Sequence, residues 1–353
     1  MGDAISWALI VLAILAVQAS EGPPDQPLPE AKPSTRGETL RSTLANPIGS
    51  PAAVARAIVA AGAALTVIVG LFSLAGVNGG DVPVDRHQQI ASGALQLAAG
   101  GVSLLLFYTG TQNVPGLRRL RPGAPISWLA IFLVFESIAA NLGTITLSSG
   151  SAGGAASGPA PTLRPATGFT ARDLMLGEVP YLAVGIAAVG PLVRRNLVQT
   201  LERLGLWPLR LPWWVIGVAA GIVLVPVGSF VVELLNHLGT ASCIAQNAQA
   251  EQAVVGVGRT TLEQVGVAIA AGVCEEVLFR GALQPRVGIL ISSVVWASYH
   301  LQYLCNGVPS PANLYLVLLG FAFGLLRKWG GLAPAILAHG LYDGLILLGL
   351  LGA

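Results

Sequence analysis

Two acidic residues and an arginine stand together in an apolar stretch of the C-terminal third, with the sequence CEEVLFRG at residues 274–281. Glu276 and Arg280 are four residues apart, so a helix would place them on one face in the order that favours an ion pair. Adjacent helical residues point about 100° apart, so Glu275 has no partner close by in the sequence and is free to face a cavity. An ionisable group at the centre of a bilayer costs at least about 2.5 kcal/mol, which makes each of these side chains a candidate for function.

Two of the four histidines follow in later apolar stretches. His300 ends the sequence WASYH at 296–300, and His339 begins HGLYD at 339–343, whose His339 and Asp343 would point the same way on a helix. A carboxylate and an imidazole can hold a water molecule and take its proton, and a second imidazole can stabilise the oxyanion that forms when water attacks an amide. Residues of these types therefore support hydrolysis by an activated water molecule.

The composition indicates which elements must position these side chains. Hydrophobic residues make up 54% of the 353 residues, charged residues make up 10%, and the mean hydropathy is +0.71. A soluble chain of this length would need a more polar surface, whereas apolar stretches of about 18 to 25 residues are long enough to cross a bilayer. We predict an all-α, polytopic transmembrane helical bundle of about 8–10 spans, with candidates at 5–19, 52–77, 88–110, 125–147, 174–193, 211–237, 263–283, 287–304, 311–327 and 331–352.

Two linkers and two glycine pairs also indicate how the chain is organised. Residues 20–51 are rich in proline and charge, and 148–168 is a run of Gly, Ala, Ser and Pro, so neither can bury enough apolar surface to fold alone. We expect the first hydrophobic segment to be retained. Two glycine pairs have the small-xxx-small spacing that lets helices approach closely, Gly217/Gly221 and Gly320/Gly324.

Charge and residue usage also bear on location and partners. The net charge of +2 and the absence of a basic cluster interleaved with aromatics argue against a nucleic-acid partner. Basic residues follow alternate spans, as the positive-inside rule expects of a multi-pass protein. Arginine outnumbers lysine, and Ala, Gly and Pro are abundant, which is typical of a GC-rich bacterial genome. We therefore expect an integral protein of a bacterial cell membrane, with the lipid bilayer as a partner.

The three motifs resemble those of the CAAX-processing and bacteriocin-processing intramembrane protease family, which includes the type II CAAX prenyl endopeptidases. The signature of that family is EExxxR, then FxxxH, then HxxxN or HxxxD on successive helices. The first motif matches at 275–280, the second at 296–300 with tryptophan in place of phenylalanine, and the third at 339–343 in its less common aspartate form. The resemblance covers about residues 205–352.

The resemblance implies a division of the chain and a role for each motif residue. A hydrophobic segment and Pro-rich linker occupy 1–51, a transmembrane region of unknown role occupies 52–204, and the peptidase core occupies 205–353. In that core Glu275 and His300 would activate the water, whereas His339 and Asp343 would form the oxyanion side. Glu276 and Arg280 would hold the helix or contact the substrate.

The implied function is that of an intramembrane endopeptidase. Its substrate would be a membrane-associated protein or peptide, cleaved near its C-terminus. We expect no cofactor, although a zinc ion bound by Glu275, His300, His339 and Asp343 is chemically reasonable as an alternative. A non-proteolytic scaffold or pseudo-protease of the same fold is the rival, because two motif positions depart from the commonest pattern. A proton-coupled transporter is third, since intramembrane acids and histidines suit proton relays.

The three cysteines form no CxxC pair, which argues against a structural zinc site or a redox motif. Cys243 and Cys305 both fall in connections assigned to the outer side of the membrane, where disulfides persist. A bridge between them is therefore a hypothesis. Cys274 is expected to be a small packing residue.

Overall fold

The computed structural model describes residues 51–75, 86–109 and 170–350 except 209, 257, 259, 301–302 and 304–309, together with a few positions between 11 and 19. Every named element in these ranges is a helix, which confirms the all-α prediction. One isolated bridge joins Pro191 to Arg195, and no β-strand forms in the described part of the chain.

The helices follow one another in this order: α1 (Pro51–Ala75), α2 (Arg86–Thr109), α3 (Ala171–Val189), α4 (Leu197–Leu204), α5 (Leu211–Asn236), α6 (Ala241–Val255), α7 (Thr261–Glu275), a π-helix (Glu276–Leu283), α8 (Gln284–Val287), α9 (Ile289–Ser298), α10 (Pro311–Gly330) and α11 (Leu332–Leu347). The predicted span 263–283 is α7 continued by the π-helix, and the predicted span 287–304 is shortened to α9. The predicted connection 238–262 contains a helix, α6, that the apolar pattern did not indicate.

One described helix, α5, is long and apolar enough to cross a membrane by length and composition alone. Three shorter apolar helical segments accompany it, Ala60–Phe72, Ile289–Ser298 and Leu332–Leu347. The predicted span 125–147 lies outside the described residues, as does most of 5–19. The number of spans and the domain boundaries therefore stay predictions.

The chain divides into two compact units, one of Met1–Ser151 with Ala187–Thr200 and the other of Ala152–Ile186 with Leu201–Ala353. In the first unit α1 and α2 pack closely through glycine. A Cβ atom on Gly70 would lie 2.8 Å from the carbonyl oxygen of Gly93, so no larger residue fits there without a shift of the helices.

In the second unit α11 packs against both α5 and α7 through small residues. A Cβ atom on Gly217 would lie 2.6 Å from the carbonyl oxygen of Pro334, and one on Gly221 would lie 2.8 Å from that of Ala338. The glycine spacing on α5 therefore serves the close approach that its sequence indicates. This packing carries His339 of α11 into the interior, where 3% of the residue is exposed.

The junction between α7 and the π-helix carries the first motif. A capping box begins α7, in which Thr260 accepts from the backbone N–H of Glu263 and the Glu263 side chain accepts from that of Thr260. At Glu276 the helix widens to the π form for two turns, and most of that segment is buried. Such widened turns are frequently found at functional sites.

The cysteines differ in state. Cys243 is disulfide-bonded, and Cys274 is a free thiol that is buried in the core. Cys305 lies outside the described residues, so its pairing with Cys243 stays a prediction. The packing role that was predicted for Cys274 agrees with its burial.

Candidate active site

Glu276 is the centre of a buried network of charges. Its carboxylate is fully buried, and Oε1 lies 3.0 Å from Nη1 of Arg280, which confirms the ion pair that the spacing predicts. The same oxygen lies 2.9 Å from Nδ1 of His339, 63 residues further along the chain. The first and third motifs are therefore joined through one carboxylate oxygen.

His339 is held from both sides. Its Nε2 atom lies 3.3 Å from Oδ2 of Asp343, while Nδ1 faces Glu276. Ionised carboxylates only accept hydrogen bonds, so both ring nitrogens carry protons when both carboxylates are charged. Together with Arg280 the network then holds two positive and two negative charges, which is how buried charges are tolerated. In this geometry His339 has no N–H group left to donate to an oxyanion.

Arg280 is fixed by aromatic rings as well as by its ion pair. Its guanidinium carbon lies 4.7 Å from the centre of the Trp296 ring and 5.6 Å from that of Phe323, at distances typical of cation–π contacts. Nη2 donates to the carbonyl oxygen of Gly320 at 3.2 Å. A Cβ atom on Gly320 would lie 2.8 Å from the Trp296 ring, so glycine makes room for both side chains.

Glu275 has a separate partner. It is buried, and its Oε2 atom accepts a hydrogen bond from Nε1 of Trp296. A phenylalanine at this position, as in the family signature, has no N–H group to donate. The tryptophan of this chain therefore supplies a donor to the glutamate that the sequence predicts to be the base.

His300 is oriented by the same tryptophan. Its Nδ1 atom lies 3.1 Å from the carbonyl oxygen of Trp296, and the two rings meet edge to face with centroids 4.7 Å apart. A carbonyl oxygen only accepts, so we assign the proton of the neutral ring to Nδ1. Nε2 then presents a lone pair, which is the state that a general base requires.

Trp296 contacts three of the predicted catalytic residues. Its ring contacts Glu275 and His300, and lies edge to face with His339 at a centroid distance of 5.5 Å. Asp343 joins through its contact with His339. All four predicted catalytic residues thus gather around α9, although their chemical roles stay predictions. Among the described residues, no group of three or more His, Cys, Asp or Glu side chains is arranged to hold a metal ion.

The sequence interpretation did not include two residues of this region. Glu178 of α3 lies near enough to Glu275, His339 and Asp343 for their charges to interact. Asn313 of α10 donates to the backbone carbonyl of His300 at 3.3 Å. An acidic residue inside the predicted span 174–193 was a signal that could have identified Glu178, whereas nothing in the sequence near Asn313 points to His300.

Comparison with known proteins supports the family resemblance of this part of the chain. Residues 258–345 match the family model described as Type II CAAX prenyl endopeptidase Rce1-like. The family resemblance is confirmed for this segment. It contains all three motifs, whereas α3 and α5 lie outside it.

One curated relative also matches. It is Uncharacterized protein YpbD from Bacillus subtilis (strain 168), which is 33% identical over 70 residues. The match covers 20% of this chain and 35% of YpbD, so it spans about a third of that relative's length. No solved structure matches the chain.

Proposed function

We propose that this protein is a multi-pass intramembrane endopeptidase that hydrolyses a peptide bond of a membrane-associated protein or peptide near its C-terminus. The observation that carries the proposal is the convergence of the three motifs. Glu275 ends α7, His300 lies two residues beyond the end of α9, and His339 lies in α11, and each contacts the buried ring of Trp296. The match of the same segment to a peptidase family supports it.

Glu275 and His300 activate the water in this proposal. The indole N–H of Trp296 donates to Oε2 of Glu275, and Oε1 can accept a hydrogen bond from water. His300 adds Nε2 as a second acceptor when its proton is on Nδ1. A carboxylate that takes the proton of the water as the oxygen attacks the peptide carbon contributes about 10²- to 10⁴-fold in rate.

His339 and Asp343 stabilise the oxyanion through charge. Both N–H groups of His339 face carboxylates, so its positive charge rather than a free donor would oppose the developing negative charge. Asp343 keeps the ring in place. With both nitrogens used in this way, His339 presents no lone pair to a metal ion, which favours the metal-free mechanism over the zinc alternative.

The test is cleavage of a panel of membrane-anchored reporter peptides in liposomes by the wild-type protein and by Glu275→Gln. Glutamine keeps the acceptor for Trp296 but cannot take a proton, so we expect kcat to fall by about 10²- to 10⁴-fold. Glu202→Gln, at an exposed position on α4, is the matched control and should cleave like the wild type. Equal cleavage by Glu275→Gln and wild type would show that Glu275 is not the base.

A further inference from the structure

Helix α3 lies outside the segment that matches the peptidase family, yet it packs on the helices that carry Glu275. A Cβ atom on Gly185 would lie 3.0 Å from the backbone nitrogen of Leu278, in the π-helix. Nearer the start of α3, the sulfur of Met175 lies 3.0 Å from the position of a Cβ atom on Gly266, in α7. The helix therefore contacts the chain on both sides of Glu275.

Glu178 points toward this contact. At 100° per residue it lies between Met175 and Gly185 in direction, and the three positions span an arc of about 80°. Leu176 points about 140° away from the middle of that arc, and it is 54% exposed. Glu178 is thus on the inner face of α3, where a carboxylate needs a specific reason to be retained.

The surroundings of Glu178 are acidic and offer little compensation. Its Oε2 atom is buried and has no hydrogen-bond partner. Its charge would interact with those of Glu275 and Asp343, which are negative, and with that of His339, the one positive charge among the three. An ionised Glu178 would therefore add an uncompensated negative charge to the interior.

Glu275 differs from Glu178 in one decisive respect. Its carboxylate accepts the indole N–H of Trp296, a bond that stabilises the ionised form. Two carboxyl groups whose charges interact do not both ionise readily, and their environments decide which one keeps a proton. The asymmetry assigns the negative charge to Glu275 and the proton to Glu178.

We propose that Glu178 is a further catalytic residue, a neutral carboxylic acid beside the ionised Glu275 that protonates the leaving amine. This inference rests on the proposed peptidase function and adds an acid that holds its proton before the water attacks. Glu275 carries a proton only after it has taken one from the water, whereas Glu178 holds one for the departing nitrogen from the start.

The proposed reaction consumes only the peptide and one water molecule. The oxygen of water forms a bond to the peptide carbon while one of its protons passes to Glu275. The carbon–nitrogen bond then breaks, and the nitrogen takes the proton of Glu178. The products are a carboxyl group and an amine. The proton on Glu275 passes to the Glu178 carboxylate, which restores the starting state without any other reactant.

The first test compares Glu178→Gln, Glu178→Asp and Glu202→Gln in the reporter assay. Glutamine has the shape of a protonated glutamate but gives up no proton, so we expect kcat to fall by at least about 100-fold with little change in KM. Aspartate keeps the acid on a shorter side chain and should recover part of kcat. Glu178→Gln with the kcat of the wild type would overturn the proposal.

The second test does not depend on activity. An infrared difference spectrum of wild type minus Glu178→Gln at neutral pH should show the C=O stretching band of a protonated carboxylic acid. The same band should persist in Glu275→Gln. Its absence from the difference spectrum would overturn the proposal even where the peptidase activity stands. If the wild type cleaves no reporter, the proposed function fails instead, and the acid role of Glu178 fails with it.

Discussion

Two groups of charged residues lie side by side at the junction of α7 and the π-helix, and they differ in how their charges are balanced. We call Glu276, Arg280, His339 and Asp343 the paired cluster, because each is in contact with an opposite charge at 2.9 to 3.3 Å. Glu275 and His300 form the open side, since Glu275 contacts the indole N–H of Trp296 and His300 contacts the carbonyl oxygen of the same residue, both uncharged.

The adjacent residues Glu275 and Glu276 show what the difference means. Glu276 has 0% of its side chain exposed, and both of its cationic partners contact Oε1, so it joins the π-helix to α11 and is closed to solvent. Glu275 is held by one neutral donor and keeps an oxygen for another ligand. Removal of one member of a buried charge cluster is costly because its partners stay buried, whereas a carboxylate without a charged partner is available to take a proton.

The largest effect on stability should come from substitution of Glu276, the glutamate that is paired with two cations. We expect Glu276→Gln to lower the free energy of unfolding by about 3–5 kcal/mol, because Arg280 and His339 would remain buried without their shared anion. Glu275→Gln should change it by less than about 1 kcal/mol, since the amide oxygen still accepts from Trp296. Thermal unfolding of both variants in the same detergent would measure the contrast.

The comparison fails if both glutamine variants lose the same stability. In that case Glu275 would be as structural as its neighbour. A Glu276→Gln protein that is as stable as wild type would show instead that the paired cluster contributes no net stability. Glu202→Gln serves as the reference for the loss of an exposed carboxylate.

Much of the paired cluster could be predicted from the sequence, because two of its three contacts are local. The i, i+4 spacing predicted both the Glu276–Arg280 pair and the common direction of His339 and Asp343. The apolar runs also predicted helices near the observed bounds, as for α5. These features depend on neighbours one helical turn away, which periodicity reports.

The open side could be predicted only as a set of residue types. The bond from Trp296 to Glu275 joins positions 21 residues apart, and in the paired cluster the contact of His339 with Glu276, 63 positions apart, could not be predicted for the same reason. Such contacts depend on how α7, α9 and α11 cross. The π-helix was also missed, since a hydrophobic run does not distinguish i+4 from i+5 hydrogen bonds.

A second, smaller effect should follow from removing the donor of the open side. In Trp296→Phe the ring remains but the N–H bond to Glu275 is lost. A hydrogen bond to a charged group contributes about 1.5–3 kcal/mol, so kcat in the reporter assay should fall about 10- to 100-fold. The loss should be in kcat rather than KM, because the bond acts on the base.

Trp213→Phe makes the same side-chain change on α5, where the indole packs against Gly330. It should leave kcat unchanged and should lower the unfolding free energy by less than Trp296→Phe does, because Trp296 is fully buried and loses its hydrogen bond to Glu275. Trp296→Phe with full activity would contradict the idea that the indole N–H holds the base, and the signature phenylalanine would then serve equally well.

The smallest effect concerns the positioning of His300. Asn313 accepts from the backbone N–H of Ser310 in the capping box of α10 and donates to the carbonyl of His300 at 3.3 Å. Asn313→Asp keeps the acceptor of the cap and removes the donor, so we expect kcat to fall by no more than about tenfold, from the loss of about 0.5–1.5 kcal/mol. Ser310→Ala weakens the cap instead, which should cost about 1 kcal/mol of stability and leave kcat unchanged. If the two variants lost kcat equally, the bond to His300 would have no role apart from holding the start of α10, and the open side would not extend to that helix.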